Sequence, residues 1–341
     1  MKNRFPTILF GIVLFIVFSS CSRKTTQHFS FAFYNVENLF DTINDPAIND
    51  SRYVPGSDLQ WDTEKYEHKL DNLAKVMSVV DSTGFPTIFG LSEVENLSVV
   101  SDLVKHRELK NAGYKILHKD SPDGRGIDVA LLYQSKKYKP LETRFIQPDF
   151  PMKSAHKTRD ILYSKGVIGK NDTIHIFVNH WVSRWGGQEE TEPNRIFIAQ
   201  LLKQITDSIF STNANANILI AGDLNDNPTD KSLVEHLEAK KPSASSSAKT
   251  LYNLSLIPFK NGEGSLYYKS WDMFDQIIVS TALLNGDNGL KANGNQTVIK
   301  KDWMLYHPKK GPARPSRTAT KNYYGGYSDH LPVYIGMRIV K

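Results

Sequence analysis

Along nearly the whole chain, short apolar runs of strand length end, or begin, in polar clusters that a hydrophobic core would reject. Six such clusters recur: Tyr34-Asn35-Val36-Glu37-Asn38, Leu91-Ser92-Glu93-Val94-Glu95-Asn96, Val178-Asn179-His180-Trp181, Gly222-Asp223-Leu224-Asn225-Asp226-Asn227-Pro228, Phe274-Asp275-Gln276-Ile277 and Tyr327-Ser328-Asp329-His330-Leu331-Pro332. One cluster of this kind would be a turn. Six of them, each at the edge of a buried strand, describe a rigid sheet scaffold that presents functional groups at its strand ends.

The rest of the pattern mixes strands with amphipathic helices. Residues 28–34 alternate, with Phe29, Phe31 and Phe33 on one face. Leu70, Leu73, Met77 and Val80 recur at helical spacing behind a cap at Asp62 or Thr63. Val99, Leu103 and Val104 predict the next helix, and Pro193 is suited to open one carrying Ile198, Leu201, Leu202 and Ile205. Residues 87–91, 127–133, 173–178 and 217–221 read as strands and 230–240 as helix. A further strand opens at Asp275, which favours that carboxylate over nearby Asp272 for the site. Three loops, 241–249, 285–295 and 307–327, are too short to be linkers, so one domain is expected. There is no repeat, heptad, phosphate-binding glycine loop, zinc spacing, nucleophile elbow or dinucleotide fingerprint.

Asn35 with Glu37, Glu93, His180, Asp223 with Asn225, Asp275, and Asp329 with His330 resemble, in order and spread, the endonuclease/exonuclease/phosphatase superfamily. That superfamily includes deoxyribonuclease I, abasic-site endonucleases, bacterial sphingomyelinases and inositol polyphosphate 5-phosphatases. Segments 35–41, 179–187 and 325–330 are most similar to a bacterial branch of secreted nucleases, a name that is itself a loose guide to substrate. The resemblance implies an α/β fold, a four-layer sandwich of two packed mixed β-sheets flanked by helices. It also implies a divalent cation, Mg²⁺ with Mn²⁺ as a substitute, on Glu93, helped by Glu37, Asn35 and Asp329.

Hydrolysis of a phosphodiester needs a cation at the phosphate, a base for water, donors to the non-bridging oxygens and help for the leaving group. Asp223 is the candidate base, and Asn225, two residues on, the candidate phosphate donor. The same Gly-Asp-Leu-Asn-Asp-Asn-Pro run is rich in turn formers, and turn and catalysis are compatible. Asp275 and His330 are expected to pair, fixing the imidazole tautomer. His180 is the second histidine, although Trp181 follows it where the family commonly has a small aliphatic residue. Arg125 and Arg159 resemble supporting positions, with Asp128 placed to orient one of them. Their alternative reading is surface ion pairs. Asn179, Arg184 and Arg317 are candidate substrate contacts. Trp181 and Trp185, with the basic loop of Lys309, Lys310, Arg314, Arg317 and Lys321, suit single-stranded or nicked nucleic acid. The default reading of that loop is a solvated charged segment.

The N-terminus adds an address. Lys2 and Arg4 precede an apolar run at 5–18, too short for a comfortable span, and Phe18-Ser19-Ser20-Cys21 resembles a bacterial lipobox. The expected organisation is a lipoprotein signal peptide at 1–20, a lipidated tether at 21–29 with Cys21 as acceptor, and a catalytic domain at 30–341. A plain secretory signal or an uncleaved anchor is the alternative. Cys21 is the single cysteine, so an acylated chain carries no disulfide. Removing Lys2 and Arg4 from 42 basic residues leaves 40 against 36 acidic ones, a weakly basic balance compatible with an anionic substrate. The expected protein is an exported monomer, anchored to the envelope at the periplasmic or outer-membrane face through lipid only. Its first expected activity is cutting DNA or RNA. The second is phosphatase or phospholipid-headgroup phosphodiesterase chemistry on the same scaffold, and the third a non-catalytic binding lipoprotein.

Overall fold

The alternation in the first strand builds two cores at once. In β1 (His28–Leu39), Phe29, Phe31 and Phe33 point into the space between two sheets, while Ala32, Tyr34 and Val36 point the other way, towards helices. All three phenylalanines are fully buried, and truncating any one to alanine would cost about 3–5 kcal/mol. The computed structural model describes Met1 and residues 28–340 apart from 152–156, 170 and 244–246. Cys21, the signal peptide and most of the tether therefore lie outside the described residues. His28 and Phe29 do not belong to a tether: they pair with Arg338 and Met337 as the first rungs of the sheet. Among the described residues, no helix is long and apolar enough to cross a membrane.

After β1 come β2 (Ile88–Val94), β3 (Tyr114–His118), β4 (Asp128–Gln134), β5 (Tyr138–Ile146), β6 (Ile161–Ile168), β7 (Asp172–His180), β8 (Asn217–Asp223) and β9 (Leu251–Asn253). The C-terminal part adds β10 (Asp275–Ser280), β11 (Leu290–Ala292), β12 (Thr297–Val298) and β13 (Val333–Ile339). One sheet runs β11-β13-β1-β2-β4-β3, with β12 also on β13; the other runs β5-β6-β7-β8-β10-β9. Helices α1 (Thr63–Ser78) and α2 (Leu97–Lys105) cover the outer face of the first sheet, and α3 (Gln188–Thr212) covers that of the second. The result is the expected four-layer α/β sandwich with mixed sheets.

Each sheet has a parallel pair at its centre, β1–β2 and β7–β8. Their C-terminal ends, where the polar clusters sit, therefore emerge at the same edge. β10 runs antiparallel to β8 and begins there, with Asp275 opposite Asp223; β13 runs antiparallel to β1 and begins at Val333, opposite Phe33. Four strand ends and two strand starts thus meet at one end of the sandwich.

Two helical expectations shift. Asp62 caps α1 by accepting from the Lys65 amide, as read, with Val80 just beyond the helix end. The third helix, α3, starts at Gln188, five residues before Pro193, which sits in its second turn. Burial of Arg195, Ile198, Ala199 and Leu202 along α3 outweighs the one backbone bond that a proline removes. Of the segment 230–240, only Ser232–His236 is helical, a single π-type turn. Ser232 Oγ donates to Asp226 Oδ2 at 2.6 Å, which ties that turn to the loop beyond β8.

Candidate active site

Two β-bulges aim the first sheet's carboxylates. The β1–β2 register shifts between Asn35 and Leu39, and the β2–β4 register between Ser92 and Val94. Glu37, Asn38 and Glu93 lie in these irregularities with φ of 51°, 53° and 63°, and Asn225 beyond β8 has φ of 50°. Non-glycine residues in this left-handed region cost energy, and such outliers gather where geometry matters more than stability. In the second sheet, Gly222 lets β8 lie close against β7: a Cβ there would stand 2.2 Å from Asn179 O. That approach sets His180 beside Asp223.

At the centre, Asn35 Nδ2 donates to Asp223 Oδ2 at 3.0 Å and lies 3.4 Å from Glu93 Oε1, joining the two sheets. His180 Nε2 stands 3.8 Å from Glu93 Oε1 and 3.7 Å from Asp223 Oδ2. His330 Nε2 is 3.7 Å from the same Asp223 oxygen, and His330 Nδ1 is 2.6 Å from Asp275 Oδ2. Burial alone would lower the His330 pKa. The carboxylates of Asp275 and Asp223 outweigh it, so the imidazolium is strongly favoured. Burial, and then the charges of Arg159 and Arg125, hold His180 well below the ordinary histidine value. Burial lifts Asp223 to about 7, with Asp275 adding to the rise and His330 opposing it. The two histidines thus have opposite characters, one a cationic donor and one a neutral ring.

Glu93 is the group that fits a cation. Its oxygens accept from the Asn38 amide (3.0 Å) and from Asn35, and among the described residues no lysine or arginine pairs with it. A carboxylate left without a counter-charge at the open end, with Asn35 beside it, is a hard oxygen donor set of the kind Mg²⁺ takes while keeping waters. Asp329 is the more exposed carboxylate of the cluster, with Oδ1 4.0 Å from His330 Nε2. Glu37, by contrast, is fully engaged: it accepts from Thr318 N (2.6 Å), Arg317 Nε (3.3 Å) and Ala319 N (3.4 Å). Burial and Asp329 raise its pKa to about 7. Asp223, Asp275 and His330 also offer ligand atoms within 4.8 Å of one another. His330 Nδ1 and Asp275 Oδ2 already meet at 2.6 Å, too close for an ion to sit between them, so that trio reads as acid–base machinery instead.

The expected substrate contacts separate into two kinds. Arg125 is exposed and donates to Asn38 Oδ1 at 3.0 Å, and Arg317 bridges Glu37 and Asp329 (2.7 Å) at the rim. Arg159 is buried, its guanidinium held by Asp123 Oδ2 (3.0 Å) and Trp181 O, so it braces the His180 strand end and does not face solvent. Asn179 is likewise turned inward, donating to Ala221 O and accepting from Trp181 Nε1. Arg184 clamps the loop after β8 through Asn225 O (2.8 Å), Asp226 and Asp230. Asn225 Nδ2 donates to Trp181 O at 3.1 Å, while its backbone N–H donates to Asp223 Oδ1. Trp181, large where a small residue was expected, is buried against the α3 side of the second sheet. Asp272 accepts from Asn227 Nδ2 and stays outside the cluster.

Asp128 does not orient an arginine. It accepts from the Ser121 amide and faces His118, and Asp123 takes the arginine instead. Sequence reasoning also missed Lys69. This buried lysine of α1 donates to Thr318 Oγ1 and Tyr327 O and so secures both ends of the loop carrying Arg317 and Asp329. Burial lowers its pKa to about 8. Its position on the apolar face, one residue before Leu70, was the available signal.

The profile of the Endonuclease/Exonuclease/phosphatase family matches residues 30–339. Among solved structures, D. rerio TDP2 complexed with single-strand DNA product is 15% identical, with a TM-score of 0.55 over 91% of this chain and 98% of that one. A Bacteroides thetaiotaomicron endonuclease/exonuclease/phosphatase family protein is 17% identical, with a TM-score of 0.55 over 93% and 99%. A mannosyl-6-phosphatase of B. thetaiotaomicron VPI-5482 is also 17% identical, with a TM-score of 0.55 over 91% and 99%. No match was found among curated proteins. With a profile match spanning nearly every described strand, and a fold shared with these structures, the chain belongs to the endonuclease/exonuclease/phosphatase family.

Proposed function

We propose that this chain is a metal-dependent phosphodiester hydrolase whose substrate is nucleic acid. The observation that carries the reading is the convergence of Asn35, Glu93, His180, Asp223, Asp275 and His330 within hydrogen-bond or ion-pair reach of one another. When bound at Glu93, with Asn35 and Asp329 beside it, a divalent cation such as Mg²⁺ would supply charge stabilisation at the phosphate and the departing oxygen. Asp223 takes the proton of the attacking water, its carboxylate held in place by the Asn225 amide and Asn35 Nδ2. His330, kept cationic by Asp275, donates from Nε2 to a non-bridging phosphate oxygen. Neutral His180, on the Glu93 side, donates a hydrogen bond to the leaving oxygen, whose charge the bound cation would offset until water protonates it. Asn225 re-aims its amide from Trp181 O to the phosphate.

Exposed Trp185, just past His180 and Arg184, and the basic loop ending at Arg317 and Lys321 favour a polyanion with stackable bases. The single-strand DNA product in the structure of the TDP2 neighbour is consistent with that choice. Small phosphate esters are the second reading, motivated by the mannosyl-6-phosphatase neighbour of equal similarity. The test offers plasmid DNA, RNA, sphingomyelin, inositol phosphates and mannose 6-phosphate to the purified chain, with and without EDTA. EDTA-sensitive cutting of nucleic acid supports the proposal. Release of orthophosphate or headgroup alone replaces it with the second reading. The same proposal places the enzyme outside the cytoplasm on a lipid at Cys21. A Cys21→Ser chain that still partitions into the membrane fraction would refute that anchor.

A further inference from the structure

A second histidine–carboxylate cluster lies beside the catalytic end groups, at the β3–β4 hairpin, where Asp128 pairs with Val94 next to Glu93. His118 closes β3, Asp128 opens β4, and Asp120 stands in the connection between them. The three offer ligand atoms within 4.8 Å of one another. The His118 side chain is 1% exposed and that of Asp128 2%. Even so, His118 Nε2 has no hydrogen-bond partner. It points at Asp128 Oδ2 from 3.7 Å, while Nδ1 lies 3.7 Å from Asp120 Oδ1. A buried imidazole nitrogen left unpaired is costly, and 3.7 Å is too long for a hydrogen bond. Two ligands each about 2.0–2.2 Å from one tetrahedral ion stand roughly 3.4 Å apart, close to the spacing of Nε2 and Asp128 Oδ2; one ion takes a single ring nitrogen, so the exposed Asp120 carboxylate, now on the Nδ1 edge, would turn to reach the same ion.

Charge points the same way. Lys119, the nearest lysine in sequence, turns to Asp160 at 3.3 Å. Among the described residues, no lysine or arginine pairs with Asp120 or Asp128. Asp128 Oδ1 accepts from the Ser121 amide at 2.8 Å, and Oδ2 is the oxygen nearest His118 Nε2.

We propose that His118, Asp120 and Asp128 form a structural binding site for a first-row transition ion, with Zn²⁺ the best fit to one imidazole and two carboxylates. Exposed Asp120 gives the ion a way in and leaves room for water as the fourth ligand. The ion would pin the 119–127 connection to the first sheet. That connection carries Asp123, the partner of Arg159, and Arg125, the partner of Asn38, so its order bears on both flanks of the catalytic cluster.

The test strips the full chain with EDTA, restores excess Mg²⁺ to occupy the hard-oxygen site, and then adds Zn²⁺. Expected are uptake of one Zn²⁺ per chain, a rise of several degrees in thermal midpoint, and an anomalous peak at the zinc edge between His118 and Asp128. Asp120→Asn, a change at an exposed position that spares the fold, weakens Zn²⁺ binding at least roughly tenfold and removes the thermal shift. His118→Asn does the same if it folds. No Zn²⁺ uptake beside Mg²⁺, undiminished binding in Asp120→Asn, or an anomalous peak only at Glu93 would overturn the site. These readouts do not depend on the substrate, so failure of the phosphodiesterase reading leaves the metal proposal standing.

Discussion

Among the described residues, two of the buried histidine–aspartate pairs differ in spacing by about an ångström. His330 and Asp275 are 2.6 Å apart, a hydrogen bond that fixes the ring's tautomer and charge. His118 and Asp128, as deeply buried, are 3.7 Å apart with the imidazole nitrogen unpaired. The first spacing suits a proton and the second an ion. Burial and residue type are alike in both, but spacing acts together with surroundings: His180 and Asp223, also 3.7 Å apart, stand among Asn35, Glu93 and His330, whereas His118 Nε2 has no other partner.

The comparison can be broken by substitutions on either side. The largest effect is expected from Asp223→Ala, which removes the carboxylate facing His330 and His180. Phosphodiesterase kcat should fall by roughly three orders of magnitude or more with KM little changed, and a rate within tenfold of the parent would discard it as the base. Next is the direct contrast between the pairs. Asp275→Asn keeps the shape but offers an amide to His330, so kcat should drop about 10²–10⁴-fold. Asp128→Asn should cost less, within about tenfold at saturating Mg²⁺, because its pair acts on the cluster only through the 119–127 connection. Equal losses in the two variants would erase the distinction. Lys69→Met leaves Glu37 buried with one cation fewer, and should lower stability by about 3 kcal/mol, read by urea unfolding, with a smaller fall in activity as the Arg317 loop loosens. Smallest is Trp185→Ala. The ring is 90% exposed, so the thermal midpoint should not move. Its KM for single-stranded DNA should rise about fivefold or more if bases stack there. An unchanged KM would separate Trp185 from substrate binding.

Much of the catalytic end is legible in the amino-acid sequence. The alternation of Phe29, Phe31 and Phe33 identifies β1, and the polar residues that end each apolar run identify the groups that meet. Support was harder to see. Asp123 lies in the turn-rich stretch before β4 and Asp128 opens that strand, and only the folded path of the hairpin decides which one meets Arg159. Arg159, Asn179 and Arg184 carry phosphate-binding chemistry by type, yet burial turns two of them inward and loop contacts occupy the third. The start of α3 was hidden because proline favours a first turn in isolation, whereas packing along the helix extends it five residues upstream. Strands β5 and β6 have no sharp pattern of their own and depend on pairing with each other and with β7.

The left-handed backbone at Glu37, Asn38, Glu93 and Asn225 has a consequence for anyone who would engineer this enzyme. Glycine would relax the main chain at each of these positions, and Glu93→Gly would also remove an uncompensated negative group. A screen that rewards heat resistance would therefore drift towards inert variants at the very places where the catalyst works. Consensus-style thermostabilisation should be confined to the helical layers, with these four backbone positions locked.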